Sequence, residues 1–258
     1  METQLASATD RPGFLKPGWT RVLGPPWVAS LVVLAVIAAI RFYAVLSPYP
    51  LQVLFFVQAV AMWVLPLVML TAQGRREVGL TVQGMTPVSL LLSALAGVAC
   101  GLVLFGLGME TYGNSADNWC ISIRNYLRFE DMRGLLPPLG VFALYALPAV
   151  CMNPIGEEIF FRGFLHRAFT RRFNPTFATL VSSVLFGLMY LAVHGFWRDG
   201  SGIHLRLAST ALALILMACI GAVFTLCRTL SGSLWPAMAA HAAFNLTLLG
   251  ATIHEFFP

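Results

Sequence analysis

The chain has 258 residues, of which 58% are apolar and 10% are charged, with a net charge of +5. Ordinary globular domains carry roughly a quarter charged residues, so this balance excludes a large water-soluble domain. The mean hydropathy of +0.78 and apolar runs near the roughly 20 residues that cross a bilayer as helix place the chain in the class of all-α, polytopic helical membrane proteins. Backbone polar groups in lipid need internal partners, and the alternating pattern of a membrane barrel is absent. The positive charge does not point to nucleic acid, because no basic face on a soluble module accompanies it.

In chain order, residues 1–26 are polar and Pro/Gly-rich, carry Arg11, Lys16 and Arg21, and read as a short cytoplasmic tail. The apolar run that follows is too long for a signal-peptide core and reads as a retained first span. Apolar runs at about 27–46, 51–72, 88–109, 137–165, 175–196, 206–228 and 232–254, separated by Pro, Gly and charged clusters, predict about seven transmembrane helices. Residues 27–134 hold the first three helices and an external loop, 110–134, with some interfacial helix. Gly97 and Gly101 form a GxxxG in the third span, a spacing that lets helices approach closely.

Orientation follows from Lys and Arg. One face holds Arg11, Lys16, Arg21, Arg75, Arg76, Arg162, Arg167, Arg171, Arg172 and Arg228, and the other holds Arg41, Arg124, Arg128, Arg133, Arg198 and Arg206. The excess on the first predicts a cytoplasmic N-terminus. Fifteen of the sixteen basic residues are Arg, a usage that points to a GC-rich bacterial genome and so to a bacterial inner membrane. The five cysteines form no CxxC, which supports neither a disulfide framework nor a zinc ribbon.

Ionisable residues inside a membrane cost roughly 2.5–3.5 kcal/mol each on insertion scales and are functional candidates by default. Glu157, Glu158 and Arg162 lie in the fourth span, where residues 158 and 162 are one turn apart, so Glu158 can pair with Arg162 while Glu157 is rotated about 100° onto another face and left free. A helix-end ion pair explains this set equally well. His241 and Asn245 share one face of the seventh span, where bonding to a neighbouring helix is the plain account. Tyr190 and His194 close the fifth span, and a histidine near a helix end can simply cap it. Taken together, a carboxylate, an Arg-clamped carboxylate and a His/Asn face are the parts of a water-activating hydrolytic site.

The string Asn153-Pro154-Ile155-Gly156-Glu157-Glu158-Ile159-Phe160-Phe161-Arg162 resembles the EExxxR signature of the CAAX protease and bacteriocin-processing (CPBP, or Abi) intramembrane peptidases. The stretch from Gly232 to His241-Ala242-Ala243-Phe244-Asn245 is similar to the family's HxxxN motif. The resemblance covers about residues 135–250, so that 135–254 reads as a CPBP-like catalytic helical core. It departs at the motif FxxxH, where this chain has Phe186 and then Tyr190, with histidine one turn later at His194.

The resemblance implies an intramembrane endopeptidase in which Glu157 activates water, Glu158 and Arg162 form a supporting pair, and His241 and Asn245 stabilise the oxyanion. Tyr190 is expected to orient water, with the His194 ring stacked over it and hydrogen-bonded to the phenol. Its partners would be a peptide or membrane-protein substrate and membrane lipid. The alternative is a non-catalytic relative acting as a peptide-binding, immunity or regulatory membrane protein, a reading that Tyr190 supports. A solute transporter would use the same buried charges as a pathway. A zinc site needs about three protein ligands, and no HExxH occurs, so a metal-free glutamate mechanism is favoured over a zinc ion and no cofactor is expected.

Overall fold

The computed structural model describes residues 13–47, 52–126, 135–199 and 202–256. Arg11, Arg128 and Arg133, and the acidic residues Glu130 and Asp131 of the expected external loop, lie outside them. Helices fall where the seven apolar runs predict them: α2 (Pro26–Leu46), α3 (Gln52–Met69), α5 (Pro87–Tyr112), α7 (Pro138–Thr170), α8 (Pro175–Met189), α9 (Leu207–Ser231) and α10 (Leu234–Phe256). Short helices α1 (Pro17–Leu23), α4 (Ala72–Glu77) and α6 (Trp119–Tyr126) lie between or before them. The chain is an all-α polytopic membrane protein. Its described strands are β1 (Phe196–Asp199) and β2 (Gly202–Leu205), an antiparallel hairpin pairing Phe196 with Leu205 between α8 and α9.

Not all seven helices are equally suited to lipid. Helices α2, α5, α7 and α9 are long and apolar enough to cross a membrane, whereas Val53–Met69 and Pro175–Met189 are apolar but shorter. Helix α10 is long enough, but His241 and Asn245 dilute its hydropathy. The residues that make it interesting are those that weaken it as a simple span.

Sequence dictates how these helices stack. Proline occupies the first turn of α1, α2, α5, α7 and α8, where its missing N–H would be unpartnered in any case. Thr86 and Ser89 close α5 with a reciprocal capping box, satisfying two otherwise unpaired donors. The buried stripe of α5 is Ser93, Gly97, Gly101, Leu104 and Gly108, and it packs along α10 more extensively than any other pair of elements. A Cβ on Gly97 would fall 1.9 Å from the Ala240 carbonyl oxygen, and one on Gly101 would fall 2.9 Å from Thr247 Cβ. Glycine is therefore required for the backbone approach that sets the position of α10.

Described residues within the expected tail pack against the bundle. Phe14 and Leu15 are buried, Leu15 bridges Leu70, and the Lys16 and Thr71 amides donate to Met69 and Phe14 carbonyls at 2.9 and 3.1 Å. The stretch expected to be an interfacial helix is likewise packed inward: Trp119 of α6 is buried and donates to the Leu104 carbonyl at 3.0 Å. Burial pushes the neighbouring Cys120 thiol up to about 12, so it is inert as a nucleophile.

Helix α7 is interrupted twice by π-helical segments, Pro148–Met152 and Ile159–Leu165, flanking an α-helical stretch Asn153–Glu158. Pro148 and Pro154 each remove a donor from the ladder, and the Asn153 amide reaches five residues back to the Pro148 carbonyl. Such wide turns are frequent at functional sites because they re-aim side chains.

Candidate active site

The two interrupted stretches of α7 set the glutamates against four other helices. Gly156 lets α3 come close: a Cβ there would lie 2.5 Å from Trp63 Cδ1, and Trp63 Nε1 donates to the Met152 carbonyl at 3.0 Å. Glu157 is 2% exposed, and Glu158, Arg162 and His241 are 0% exposed. Ionised groups buried to this degree persist only when paired and hydrogen-bonded.

Arg162 Nη1 donates to Glu158 Oε1 at 2.9 Å, as the i, i+4 spacing predicts, and its Nη2 donates to the Gly221 carbonyl of α9 at 2.9 Å. The guanidinium lies 4.2 Å from the Phe186 ring centroid and 5.3 Å from that of Phe224, a desolvated cation–π cage. His241 Nδ1 sits 2.8 Å from the same Glu158 Oε1. Its ring stacks on Phe224 with centroids 4.9 Å apart. Glu158 thus ties α7 to α10, while Arg162 ties α7 to α9.

Glu157 is not the free carboxylate expected from helical rotation. Arg41 Nη2 of α2 donates to Glu157 Oε1 at 2.6 Å, and Tyr190 Oη donates to Oε2 at 3.2 Å. His241 Nε2, which makes no hydrogen bond, is 3.8 Å from Oε2. Arg41 is itself fixed by Gln58 Oε1 at 2.9 Å and by the Met189 carbonyl at 3.3 Å. Sequence reasoning counted Arg41 as an external anchor and overlooked it as a site residue. The signal was present: Ala29, Val33, Ile37 and Arg41 are spaced by four and form the buried stripe of α2.

The fifth span departs from expectation in shape. Helix α8 stops at Met189 and turns through Tyr190 into the π-helical segment Leu191–Gly195 before β1, so Tyr190 lies where the helix ends. The Tyr190 and His194 rings stack with centroids 5.8 Å apart and 11° between planes. The phenol, however, bonds Glu157 and not His194, whose Nδ1 has no hydrogen-bond partner. Asn245 Nδ2 donates to the Ala149 carbonyl in the first π segment at 3.0 Å. His241 and Asn245 share α10, but only Asn245 faces the cavity described next. His166, assigned no role, is buried with Nε2 3.1 Å from Thr179 Oγ1.

A cavity of about 180 Å³ opens beside this cluster, with Arg41, Glu157, Tyr190, His194, Asn153 and Asn245 among its polar lining and Met217, Phe244 and Leu248 among its apolar lining. Among the described residues, no group of three His, Cys, Asp or Glu side chains is placed to hold a metal ion. A buried carboxylate with one oxygen held by a guanidinium and the other facing a phenol, an imidazole and a cavity can take a proton from a water molecule entering that cavity.

Fold and cluster together define a polytopic membrane protein with a buried network of acidic, basic and aromatic side chains inside the helix bundle. The family described as Rce1-like, type II CAAX prenyl endopeptidase, matches residues 139–247, less than half of the chain but including every member of the cluster except Arg41 and Gln58. That segment is similar to the Rce1-like family, in line with the two motifs that resemble CAAX proteases. No curated protein and no solved structure matches the chain.

Proposed function

We infer that the chain is a glutamate-dependent intramembrane endopeptidase acting on a peptide or membrane-protein substrate. The observation that carries this reading is Glu157, buried inside an Rce1-like segment yet lining a cavity. Arg41 holds Oε1 and leaves Oε2 toward Tyr190 and His241. In the proposed reaction Oε2 takes a proton as a water oxygen attacks the scissile carbonyl carbon. The proton then passes from Glu157 to the leaving amine nitrogen as the C–N bond breaks. Asn245, which lines the cavity with one amide hydrogen on the Ala149 carbonyl, supplies a donor to the oxyanion, and His241 joins it only where the substrate reaches past the cavity lining and Nε2 carries a hydrogen. Glu158 and Arg162 orient His241 through Nδ1, and Tyr190 orients the water, with His194 packed behind it.

The reading routes no step through a metal: Arg41 and Tyr190 engage Glu157, and Arg162 and His241 share Oε1 of Glu158, whose Oε2 makes no hydrogen bond. The protein resides in a bacterial inner membrane with its N-terminus cytoplasmic. Glu157→Gln in a membrane preparation, followed by recovery of what stays bound, tests the assignment. A trapped substrate that the wild type cleaves supports it, and full cleavage by the variant overturns it.

A second reading, a non-catalytic relative that binds peptides, is favoured by Tyr190 in place of the family histidine and by the Arg41 ion pair on Glu157. Peptidase activity absent from the wild type and gained in Tyr190→His would establish that reading instead.

A further inference from the structure

Of the two routes to Glu157, the shorter is closed. Glu157 lies about 20 Å along the helix from Thr170 and about 28 Å from Pro138 at 1.5 Å per residue. Toward Thr170 the space is filled by Phe160, Phe161, Phe164, Phe186 and Phe224, all 0% exposed. Phe14 stacks on Phe164 with centroids 6.1 Å apart, and Leu234, also 0% exposed, hangs its amide on the Gly79 carbonyl at 2.9 Å. This end of the bundle is an aromatic plug under a backbone-bonded lid.

Toward Pro138 the bundle is hollow. The cavity lining runs from Glu157 through Asn153, Ala149 and Tyr145 on α7, and through Asn245 and Leu249 on α10, to Ile123 of α6. Those positions step toward the Pro138 end of α7 and the Phe256 end of α10, on the side where α6 and the β1–β2 hairpin lie. The charge distribution gives that side an identity. With Arg41 and Arg162 placed in the site, the plugged end carries, among the described residues, Lys16, Arg21, Arg75, Arg76, Arg167, Arg171, Arg172 and Arg228, and the open end carries Arg124, Arg198 and Arg206. Eight against three favours the plugged end as cytoplasmic.

We propose that the site is loaded from the extracytoplasmic side of the membrane, so that its substrates are exported peptides or the outward-facing segments of membrane proteins. A lipid-modified C-terminus held on the cytoplasmic surface meets the plug and not the cavity. At about 180 Å³ the chamber is below the roughly 300–1,000 Å³ of pockets that enclose drug-sized ligands, which suits a residue or two of extended peptide. This proposal deepens the peptidase reading and rests on it for the word substrate, but the access route stands on geometry and charge alone.

The test uses the full chain with its five cysteines, Cys100, Cys120, Cys151, Cys219 and Cys227, replaced by serine or alanine. Single cysteines are then introduced as Ala149→Cys and Val193→Cys in the cavity and Arg76→Cys at the plugged end. Spheroplasts and inverted inner-membrane vesicles are treated with the small, membrane-impermeant trimethylammonium-ethyl methanethiosulfonate. Modification is read as loss of later maleimide labelling after denaturation. Both cavity cysteines are expected to be fully modified in spheroplasts and protected in inverted vesicles, with the reverse for Arg76→Cys. Cavity modification from the Arg76→Cys side, from both sides, or from neither overturns the proposal. The two cavity positions lie on different elements, so loss of folding in one variant leaves the other to decide. Assaying peptide hydrolysis by the cysteine-free parent, which keeps Glu157, separates the two claims: outside access in a parent that hydrolyses no peptide removes the peptidase reading and leaves the route intact.

Discussion

Glu157 and Arg41 form a contact between two helices far apart in sequence, and its consequences can be measured one side chain at a time. Removing one partner of a buried ion pair leaves an uncompensated charge and costs about 3–5 kcal/mol. Arg41→Ala should therefore lower the unfolding temperature of the detergent-solubilised protein markedly. The same change in a Glu157→Gln background should cost much less, because no carboxylate is then stranded. Equal losses in the two backgrounds would mean that Arg41 acts through Gln58 and Met189 alone. Tyr190→Phe removes a hydrogen bond to an ionised acceptor, a loss of about 1.5–3 kcal/mol, and should reduce turnover roughly ten- to a hundredfold by that measure. His194→Ala, which removes only the stacked ring, should reduce it less, and Tyr190→His should keep some function. Steady-state kinetics on a cleaved peptide would rank the three. At this scale the sequence was legible for Glu158 and Arg162, which meet because 158 and 162 share a face, although the same spacing brings only Asn245 of the His241–Asn245 pair to the cavity. The pairing of Glu157 with Arg41, 116 residues apart, follows from tertiary packing that no local spacing encodes.

Helices α5 and α10 pass at backbone contact, and α10 carries both His241 and Asn245, so their packing governs the site without touching it. Gly97→Ala forces a methyl group into the Ala240 carbonyl and should destabilise by about 1–3 kcal/mol as overpacking does, lowering activity with it. Gly106→Ala has open space around the new methyl and gains helix propensity, so it should be neutral or slightly stabilising. Thermal unfolding of the two variants side by side checks this, and equal behaviour would remove α5 as the element that positions α10. The existence and order of the long helices could be read from apolar runs because lipid imposes one demand on all of them, internal backbone bonding. The π segments of α7, the early stop of α8 and the β1–β2 hairpin were not legible. Each depends on where a neighbouring helix or a missing proline N–H re-routes a hydrogen bond. The short Pro175–Met189 helix is a case in point: its apolar run continues to Phe196, but the helix does not.

For the whole molecule, the decisive quantity is which end of the bundle faces the cytoplasm, since the depth of the site and the direction of its cavity are both measured from that surface. The Lys and Arg distribution that orients membrane proteins is counted in short loops near the span ends. Arg41 and Arg162 belong to neither loop, as both side chains are consumed inside the bundle. Setting them aside changes ten against six along the sequence into nine against five, and leaves eight against three among the described residues, so the direction of the bias is unaltered. The basic end is also anchored by ion pairs and a side-chain-to-backbone hydrogen bond. Glu77 accepts from Arg171 at 2.8 Å and lies 3.6 Å from Arg167, and Arg228 donates to the Glu77 carbonyl at 3.1 Å. These contacts bind α4, α7 and α9 into one surface. Alkaline phosphatase, active only outside the cytoplasm, fused after residue 115 should be active, and fused after residue 75 should be silent. A cytoplasm-active reporter should give the inverse pattern. Activity on the same side at both positions would mean that α5 (Pro87–Tyr112) does not cross the membrane. A clean reversal of the two would keep the fold, turn the cavity toward the cytoplasm, and make the aromatic plug the extracytoplasmic seal.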